Sequence, residues 1–162
     1  MNILVSHCFL GEPCRYDGAS RLDRQVVELH RAGHNLIPVC PELLGGLDVP
    51  RAPAEIQPDG RVMTEDGADF TAAYRAGAER AVEIAKENGC TVAVLKARSP
   101  SCGCGEIYDG SFTHTVRPGW GVAAKLLEEA GLEVMDEEHL QARLYERYRN
   151  GRPFGQPFSF NP

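Results

Sequence analysis

TVAVLKARSPSCGCG, residues 91–105, joins a short apolar run to a loop that carries two thiols, those of Cys102 and Cys104. An apolar run of this length, rich in β-branched residues, predicts a buried parallel strand. In an open α/β sheet, ligands bind at the carboxyl ends of the strands, which is where this loop begins. The stretch therefore predicts the class of the fold and the edge of the sheet that carries a functional site.

The same arrangement occurs twice more along the chain. Residues 2–6 form an apolar run that leads into Cys8, and residues 35–39 form another that leads into Cys40. The carboxyl ends of parallel strands meet at one edge of a sheet. We therefore expect Cys8, Cys40 and Cys102 to lie near one another.

Helical patterns alternate with these strands. Apolar spacing and stop signals predict helices over 20–32, 70–88 and 121–130, a fourth strand over 132–135, and a last helix from an Asp136 N-cap to about Arg149. Strands that alternate with helices predict a mostly parallel sheet with right-handed crossovers.

The domain organisation follows from this order. We expect a single α/β domain over residues 1–150, with a Rossmann-like or flavodoxin-like sheet and helices on both of its faces. Residues 151–162 form a C-terminal tail whose three phenylalanines predict packing on the domain or on a partner subunit.

Length and charge limit the class of protein. The chain has 162 residues and a net charge of −6, which argues against a nucleic-acid polymer or an anionic membrane as partner. No apolar run reaches the roughly 20 residues that a transmembrane helix needs. The N-terminus enters a strand by Asn2 and lacks the regions of a signal peptide. We expect a cytoplasmic protein.

Residues 41–67 are rich in proline and glycine and predict a long irregular loop. A loop of this length in a compact domain is usually functional or a linker. We favour a functional loop because it opens beside Cys40, with a small hairpin or edge strand over residues 61–64.

The six cysteines are not expected to form disulfides in a reducing compartment. Cys90 lies between a helix end and a strand start and is predicted to be a structural core residue. The thiols at the sheet edge could hold an iron–sulfur cluster, bind zinc, or remain unligated or redox-active. The spacings Cys8-x₅-Cys14 and Cys102-x-Cys104 match neither the usual zinc pairs nor the ferredoxin patterns, so these alternatives stay open.

Three motifs, in order along nearly the whole chain, resemble the bacterial domain-of-unknown-function family 523. They are VSHCFLG with CRYDG at residues 5–11 and 14–18, PVCPELLGGL with PRAPAEI at 38–47 and 50–56, and KARSPSCG at 96–103. The enzymatically understood relatives of this family are the thiouracil desulfidases.

This resemblance implies a [4Fe–4S] cluster on three cysteines, matched here by Cys8, Cys40 and Cys102. It implies that the iron without a protein ligand takes sulfur from a thiolated uracil. It further implies that a glutamate and a serine assist, matched here by Glu42 and Ser101. A cluster with an open iron is expected to be oxygen-sensitive, so aerobic preparation could leave it absent or replaced.

The resemblance does not assign Cys14 or Cys104 as ligands. From position alone, Glu42 suits a general acid or base because it follows Cys40 by two residues, although it could be a solvated loop carboxylate. Ser99 and Ser101 could donate hydrogen bonds to the cluster or the substrate, or could cap a turn.

Arg15, Tyr16 and Asp17 could orient a substrate, or could simply close a turn with the following glycine. The segment GWGVAA, residues 119–124, matches G-x-G-x-x-A at a helix start. A dinucleotide site needs a strand directly before this motif, and Arg117-Pro118 precedes it instead, so we do not predict nucleotide binding. The helix N-terminus could still stabilise an anion.

We predict an iron–sulfur-dependent desulfidase that acts on a small thiolated nucleobase such as thiouracil. The alternative is a cluster-binding or zinc-binding module without catalysis. The sequence leaves the physiological substrate, the need for electrons and the oligomeric state open.

Overall fold

The computed structural model describes residues 1–150, apart from the side chains of residues 145 and 147–149. The predicted tail, residues 151–162, lies outside the described residues. In chain order the elements are β1 (Asn2–Ser6), a 3-10 turn (His7–Leu10), α1 (Arg24–Arg31), β2 (Asn35–Val39), α2 (Pro41–Leu44), β3 (Ala54–Ile56), β4 (Val62–Thr64), α3 (Thr71–Glu87), β5 (Val92–Leu95), β6 (Cys104–Tyr108), β7 (Val116–Trp120), α4 (Val122–Glu129), β8 (Glu133–Asp136) and α5 (Leu140–Arg149).

Four strands form one parallel sheet in the order β2-β1-β5-β8. This confirms the predicted α/β class and its parallel sheet, and the order is that of a flavodoxin-like fold. The chain leaves β1 for β2 on one side and later returns as β5 on the other side. The order therefore reverses between β1 and β5, and a crevice forms beyond their carboxyl ends.

Helices cover both faces of the sheet, as predicted. Successive side chains of β1 point to opposite faces. Ile3 shares one core with Val26 of α1 and Leu140 of α5. Leu4 shares the other core with Leu127 of α4 and with residues of α3. The central strands β1 and β5 are buried on both sides, which explains why they read as continuous apolar runs. In residues 1–150, no helix is both long enough and apolar enough to cross a membrane.

The segment predicted as a long irregular loop is more ordered than expected. Residues 41–67 contain the short helix α2 and the antiparallel pair β3–β4, in which β4 falls within the predicted 61–64 stretch. A second antiparallel pair, β6–β7, was not predicted at all. Its strands include Gly105, Pro118 and Gly119, which are residue types depleted in strands, so the sequence pattern hides it.

The predicted starts of α1 and α5 differ most from those in the structure, and in both cases an aspartate explains the difference. α1 begins at Arg24 rather than Ser20, because the Asp23 carboxylate accepts hydrogen bonds from the N–H groups of Gln25 (2.9 Å) and Val26 (3.1 Å).

The predicted N-cap at Asp136 is wrong, because Asp136 is the last residue of β8. Its carboxylate accepts the His139 N–H at 2.9 Å and so holds a turn, after which α5 begins at Leu140.

Helix α2 packs against α3 backbone to backbone. A Cβ placed on Gly77 of α3 would lie 1.8 Å from the Pro41 carbonyl oxygen, and one on Gly45 would lie 2.0 Å from the Ala73 carbonyl oxygen. Only glycine allows this approach, which places the residues just after Cys40 against the first two turns of α3.

Gly77→Ala is therefore expected to destabilise the protein by about 1–3 kcal/mol, the usual cost of overpacking. The higher helix propensity of alanine would, by itself, stabilise the protein by about 1 kcal/mol. Denaturant unfolding of the wild type and of Gly77→Ala measures the change in the free energy of unfolding. Ala76→Gly, at the neighbouring exposed position, measures the contribution of helix propensity alone. Unchanged or increased stability of Gly77→Ala would contradict the backbone contact.

Candidate active site

A cavity of about 320 Å³ opens at the carboxyl edge of the parallel sheet. Its wall contains residues that follow β1, β2 and β5, together with residues of β3, α3 and the β6–β7 region. The sequence-predicted site residues that line it are Cys8, Arg15, Tyr16, Cys40, Glu42, Ser99, Ser101 and Cys102. Asp17 is not in the wall; its carboxylate pairs with Arg15 at 3.4 Å and accepts the Ala19 N–H at 2.9 Å.

The three predicted cluster ligands reach the cavity from three different strand ends. Cys8 lies in the 3-10 turn after β1, Cys40 is the N-cap residue of α2, and Cys102 lies in the loop after β5. Cys8 and Cys102 are buried, at 6% and 5% exposure, and Cys40 is partly buried. The fold therefore places all three side chains in the wall of one cavity.

A fourth cysteine, Cys14, lies beside two of these thiols. It is 3% exposed, it lines the cavity, and its carbonyl oxygen accepts a hydrogen bond from the Cys40 thiol at 3.8 Å. The Cys40 thiol lowers the pKa of Cys14, whereas Cys8 and burial raise it, with a net value of about 11. Contact with Cys14, together with burial, raises the pKa of Cys40. The Cys8-x₅-Cys14 spacing is the sequence signal for this proximity, although the family resemblance does not assign Cys14 as a ligand.

The loop that carries Cys102 is organised by serines. The Ser99 hydroxyl oxygen accepts hydrogen bonds from the N–H groups of Ser101 and Cys102, both at 3.2 Å, so Ser99 caps a turn. The Ser101 hydroxyl lies 3.0 Å from that of Ser99 and donates to the Cys102 sulfur at 3.4 Å. Burial raises the pKa of Cys102 to about 11, and hydrogen bonds from Ser101 and Ser6 partly oppose this rise.

The start of α4 holds the same loop. The N–H groups of Val122 and Ala123 donate to the carbonyl oxygens of Pro100 and Ser101, both at 2.9 Å. A Cβ on Gly121 would lie 2.6 Å from the Ser101 carbonyl carbon. The strand β7 does precede this helix, contrary to the prediction, yet these two N–H groups are already used by the loop. These two N–H groups are therefore not available to an anion, and Gly121 allows close packing against the loop.

Glu42 is held by two buried side chains. Arg51 donates to one carboxylate oxygen at 2.6 Å, and the Tyr74 hydroxyl donates to the other. Arg51 also donates to the Cys14 carbonyl oxygen at 3.0 Å. Burial and the neighbouring carboxylate raise the pKa of Tyr74, so its hydroxyl stays protonated. The interpretation of Glu42 as a solvated loop carboxylate is not supported, since its side chain is only 15% exposed.

A second ion pair orders the start of the Cys102 loop. Lys96 pairs with the buried Glu137 at 3.0 Å, and Glu137 also accepts the Ala97 N–H at 2.8 Å. The Lys96 N–H donates to the Ser6 hydroxyl at 2.9 Å, which ties the ends of β5 and β1 together. Lys96 lines the cavity and was not predicted as a site residue.

The wall also contains Glu55, a buried carboxylate of β3 that the sequence pattern did not single out. One of its oxygens accepts the N–H groups of Gly110 and Phe112, at 3.0 and 3.2 Å. These contacts hold the turn between β6 and β7, which brings His114 to the cavity.

The remaining cysteines are elsewhere. Cys90 and Cys104 belong to the core beneath α3 and α4, and neither lines the cavity. The Cys104 thiol donates to the Val134 carbonyl oxygen at 3.4 Å. Burial raises the pKa of Cys90, and burial is also the main cause that raises the pKa of Cys104 to about 11.

Among residues 1–150, no three Cys, His, Asp or Glu side chains converge closely enough to bind a single metal ion. An iron–sulfur cluster bonds its thiolates through different iron atoms, so its ligands need not converge on one point.

Residues 3–139 match the model of a protein family described as 2-thiouracil desulfurase. The chain belongs to the 2-thiouracil desulfurase family. One relative is the uncharacterised protein YbbK of Bacillus subtilis (strain 168), 41% identical over 150 residues, which cover 85% of this chain and 97% of the relative. Among solved structures, the chain is similar to the [4Fe–4S]-dependent thiouracil desulfidase TudS, with a TM-score of 0.82 and 39% identity, over 91% of this chain and 98% of that one.

All three cavity-lining strand ends fall inside the part of the chain that matches the 2-thiouracil desulfurase family. The match ends at residue 139, before α5. The recognition of the family from its three motifs is therefore confirmed.

Proposed function

We propose that this protein is an iron–sulfur-dependent desulfidase that removes sulfur from a small thiolated nucleobase such as thiouracil. The reaction replaces a C=S bond by C=O: water supplies the oxygen and two protons, and hydrogen sulfide leaves. No electrons are gained or lost overall. The observation that carries the proposal is one cavity lined by three strand-end cysteines, Glu42 and Ser101 in a member of the 2-thiouracil desulfurase family.

We propose Cys8, Cys40 and Cys102 as the ligands of a [4Fe–4S] cluster. The donor set fits this group, because three thiols from three separate strand ends face one cavity and thiolates are the ligands of such clusters. Burial and neighbouring thiols keep Cys40 and Cys102 protonated without a metal, and coordination would deprotonate them. When bound on three thiolates, the cluster supplies one iron that can act as a Lewis acid toward sulfur.

Glu42 and Ser101 are the proposed proton carriers. Glu42 would accept a proton from water as the water attacks carbon, and would return a proton to the departing sulfur. Arg51 and Tyr74 hold both carboxylate oxygens in place and stabilise the charge. The Ser101 hydroxyl donates to the Cys102 sulfur, and rotation of its single O–H would let it donate to the reacting sulfur instead.

The proposed substrate-binding residues follow β1 and β5. Ser99, Arg15, Tyr16 and Asp17 remain proposed substrate-binding residues, with Arg15 and Tyr16 in the cavity wall and Asp17 acting on Arg15. The cytoplasm remains the proposed location, because a reducing compartment would keep the proposed cluster thiols from forming disulfides.

The test is sulfide release under anaerobic conditions. The protein is reconstituted with iron and sulfide and desalted, and 2-thiouracil is added while sulfide and uracil are both quantified. We expect equal amounts of the two products, with multiple turnovers and no added reductant. A protein that takes up iron but releases no sulfide would support a cluster-binding module without catalysis. Uptake of zinc but not iron would support the zinc alternative.

A further inference from the structure

Glu55 is a carboxylate in the cavity wall that the proposed reaction does not use. It lies at the centre of β3 and is 9% exposed. Its Oε1 accepts the N–H groups of Gly110 (3.0 Å) and Phe112 (3.2 Å). Two backbone donors on one oxygen fix the plane of the carboxylate and therefore the direction of the other oxygen.

That other oxygen, Oε2, receives no hydrogen bond from any residue that the structure describes, although it is not sealed inside the protein. Buried polar groups are normally paired, so a carboxylate oxygen left open in a cavity wall indicates a donor that arrives with the ligand. Glu55 lies in the wall of the same cavity of about 320 Å³ that contains the three proposed cluster ligands.

We propose that Oε2 of Glu55 accepts a hydrogen bond from the ring N–H beside the thiocarbonyl of the substrate, so that Glu55 selects thiolactams. This inference rests on the proposed desulfidase function. In both 2-thiouracil and 4-thiouracil the N3–H lies next to the C=S carbon. An ionised acceptor gives a stronger hydrogen bond than a neutral one, and it disfavours a ring that has lost this proton or carries an alkyl group there.

The turn held by Glu55 shows a second sign of a ligand site. Phe112 and His114 have φ values of 58° and 57°, in the left-handed region that side chains seldom adopt. Strained backbone of this kind tends to occur where surrounding structure holds a ligand-contacting group. His114 lines the cavity and packs edge to face with Tyr108 at a centroid distance of 6.1 Å. Glu55 thus anchors one wall while its open oxygen faces the ligand.

The first test uses the wild-type protein, reconstituted with its cluster, and measures binding rather than turnover. Uracil, N1-methyluracil and N3-methyluracil are titrated by calorimetry. The two methylated ligands have the same size, and only N3-methyluracil lacks the N–H in question. We expect N1-methyluracil to bind within about threefold of uracil and N3-methyluracil at least about tenfold more weakly, the effect of one charge-assisted hydrogen bond. Equal binding of the two methylated ligands, or no measurable binding of uracil, would overturn the proposal.

The second test uses Glu55→Gln, with Glu65→Gln as the control at an exposed position. The amide can still accept from Gly110 and Phe112, but its NH₂ group replaces the open acceptor. We expect uracil binding to weaken by about 10–100-fold while N3-methyluracil changes by less than about threefold. If the substitution weakens the binding of both ligands equally, Glu55 only holds the β6–β7 turn, and the proposal is overturned. If uracil shows the expected pattern but 2-thiouracil releases no sulfide, the proposed function fails and the role of Glu55 in binding stands.

Discussion

Cys102→Ser should remove iron and activity together. Serine is nearly the same size as cysteine, but its hydroxyl does not deprotonate near neutral pH and is a poor ligand for iron–sulfur clusters. After anaerobic reconstitution, we expect little bound iron and no brown chromophore. The variant should release sulfide no faster than the same protein does before reconstitution. Iron and sulfide analysis, the visible spectrum and the 2-thiouracil assay measure these three quantities on one sample.

Cys90→Ala is the matched control, because Cys90 is also a buried cysteine and lies in the core away from the cavity. This variant should keep the iron content and the activity of the wild type. A Cys90→Ala protein that folds but loses the cluster would contradict the assignment of Cys102 as the third ligand.

Cys14→Ser and Cys8→Ser extend the same experiment to the one ambiguity that the structure raises. Cys14 lines the same cavity as Cys8 and Cys40, and its carbonyl oxygen accepts a hydrogen bond from the Cys40 thiol, so position alone does not separate Cys14 from Cys8. We expect Cys8→Ser to lose iron and Cys14→Ser to keep most of it. The reverse result would make Cys14 the ligand after β1.

The sheet and the edge that carries the site could be predicted because their signals are local. The strands β1 and β5 are buried on both faces, and four consecutive buried residues in β5 produce a continuous apolar run. Once the strands are parallel, the residue after each strand end must lie at one edge. This is why the sequence alone predicts that Cys8, Cys40 and Cys102 lie near one another.

The residues that the sequence did not reveal depend on long-range contacts. Tyr74 fits the apolar face of α3 and reads as a core residue, yet its hydroxyl reaches Glu42, which is 32 positions earlier in the chain. Glu55 reads as an ordinary loop carboxylate, and its partners at Gly110 and Phe112 lie 55 and 57 positions later. No periodicity encodes such pairs, because they arise only when α2 meets α3 and when β3 meets the β6–β7 turn.

Glu42→Gln should separate turnover from cluster binding. Glutamine has the shape of glutamate and can still accept a hydrogen bond, but it cannot take a proton from water. We therefore expect the visible spectrum and iron content to stay as in the wild type, while sulfide release falls by roughly 10²-fold or more, the usual effect of removing a general acid or base. The measurement is the turnover number per bound cluster.

Loss of the charge on Glu42 also affects Arg51, whose side chain is 4% exposed and whose Nε already has no hydrogen-bond partner among the described residues. Breaking a buried ion pair leaves a charge uncompensated, so the variant should unfold more easily. Activity must be compared at a temperature at which unfolding curves show both proteins to be fully folded.

Tyr74→Phe tests whether the Glu42 carboxylate carries protons or only neutralises Arg51. It removes one hydrogen bond to Glu42 but leaves the carboxylate and its pairing with Arg51 intact. If Glu42 carries protons, Tyr74→Phe should lower turnover less than Glu42→Gln does, because the proton carrier is still present. If Glu42→Gln loses stability but converts thiouracil at the wild-type rate, the carboxylate serves only to neutralise Arg51, and another group must carry the proton.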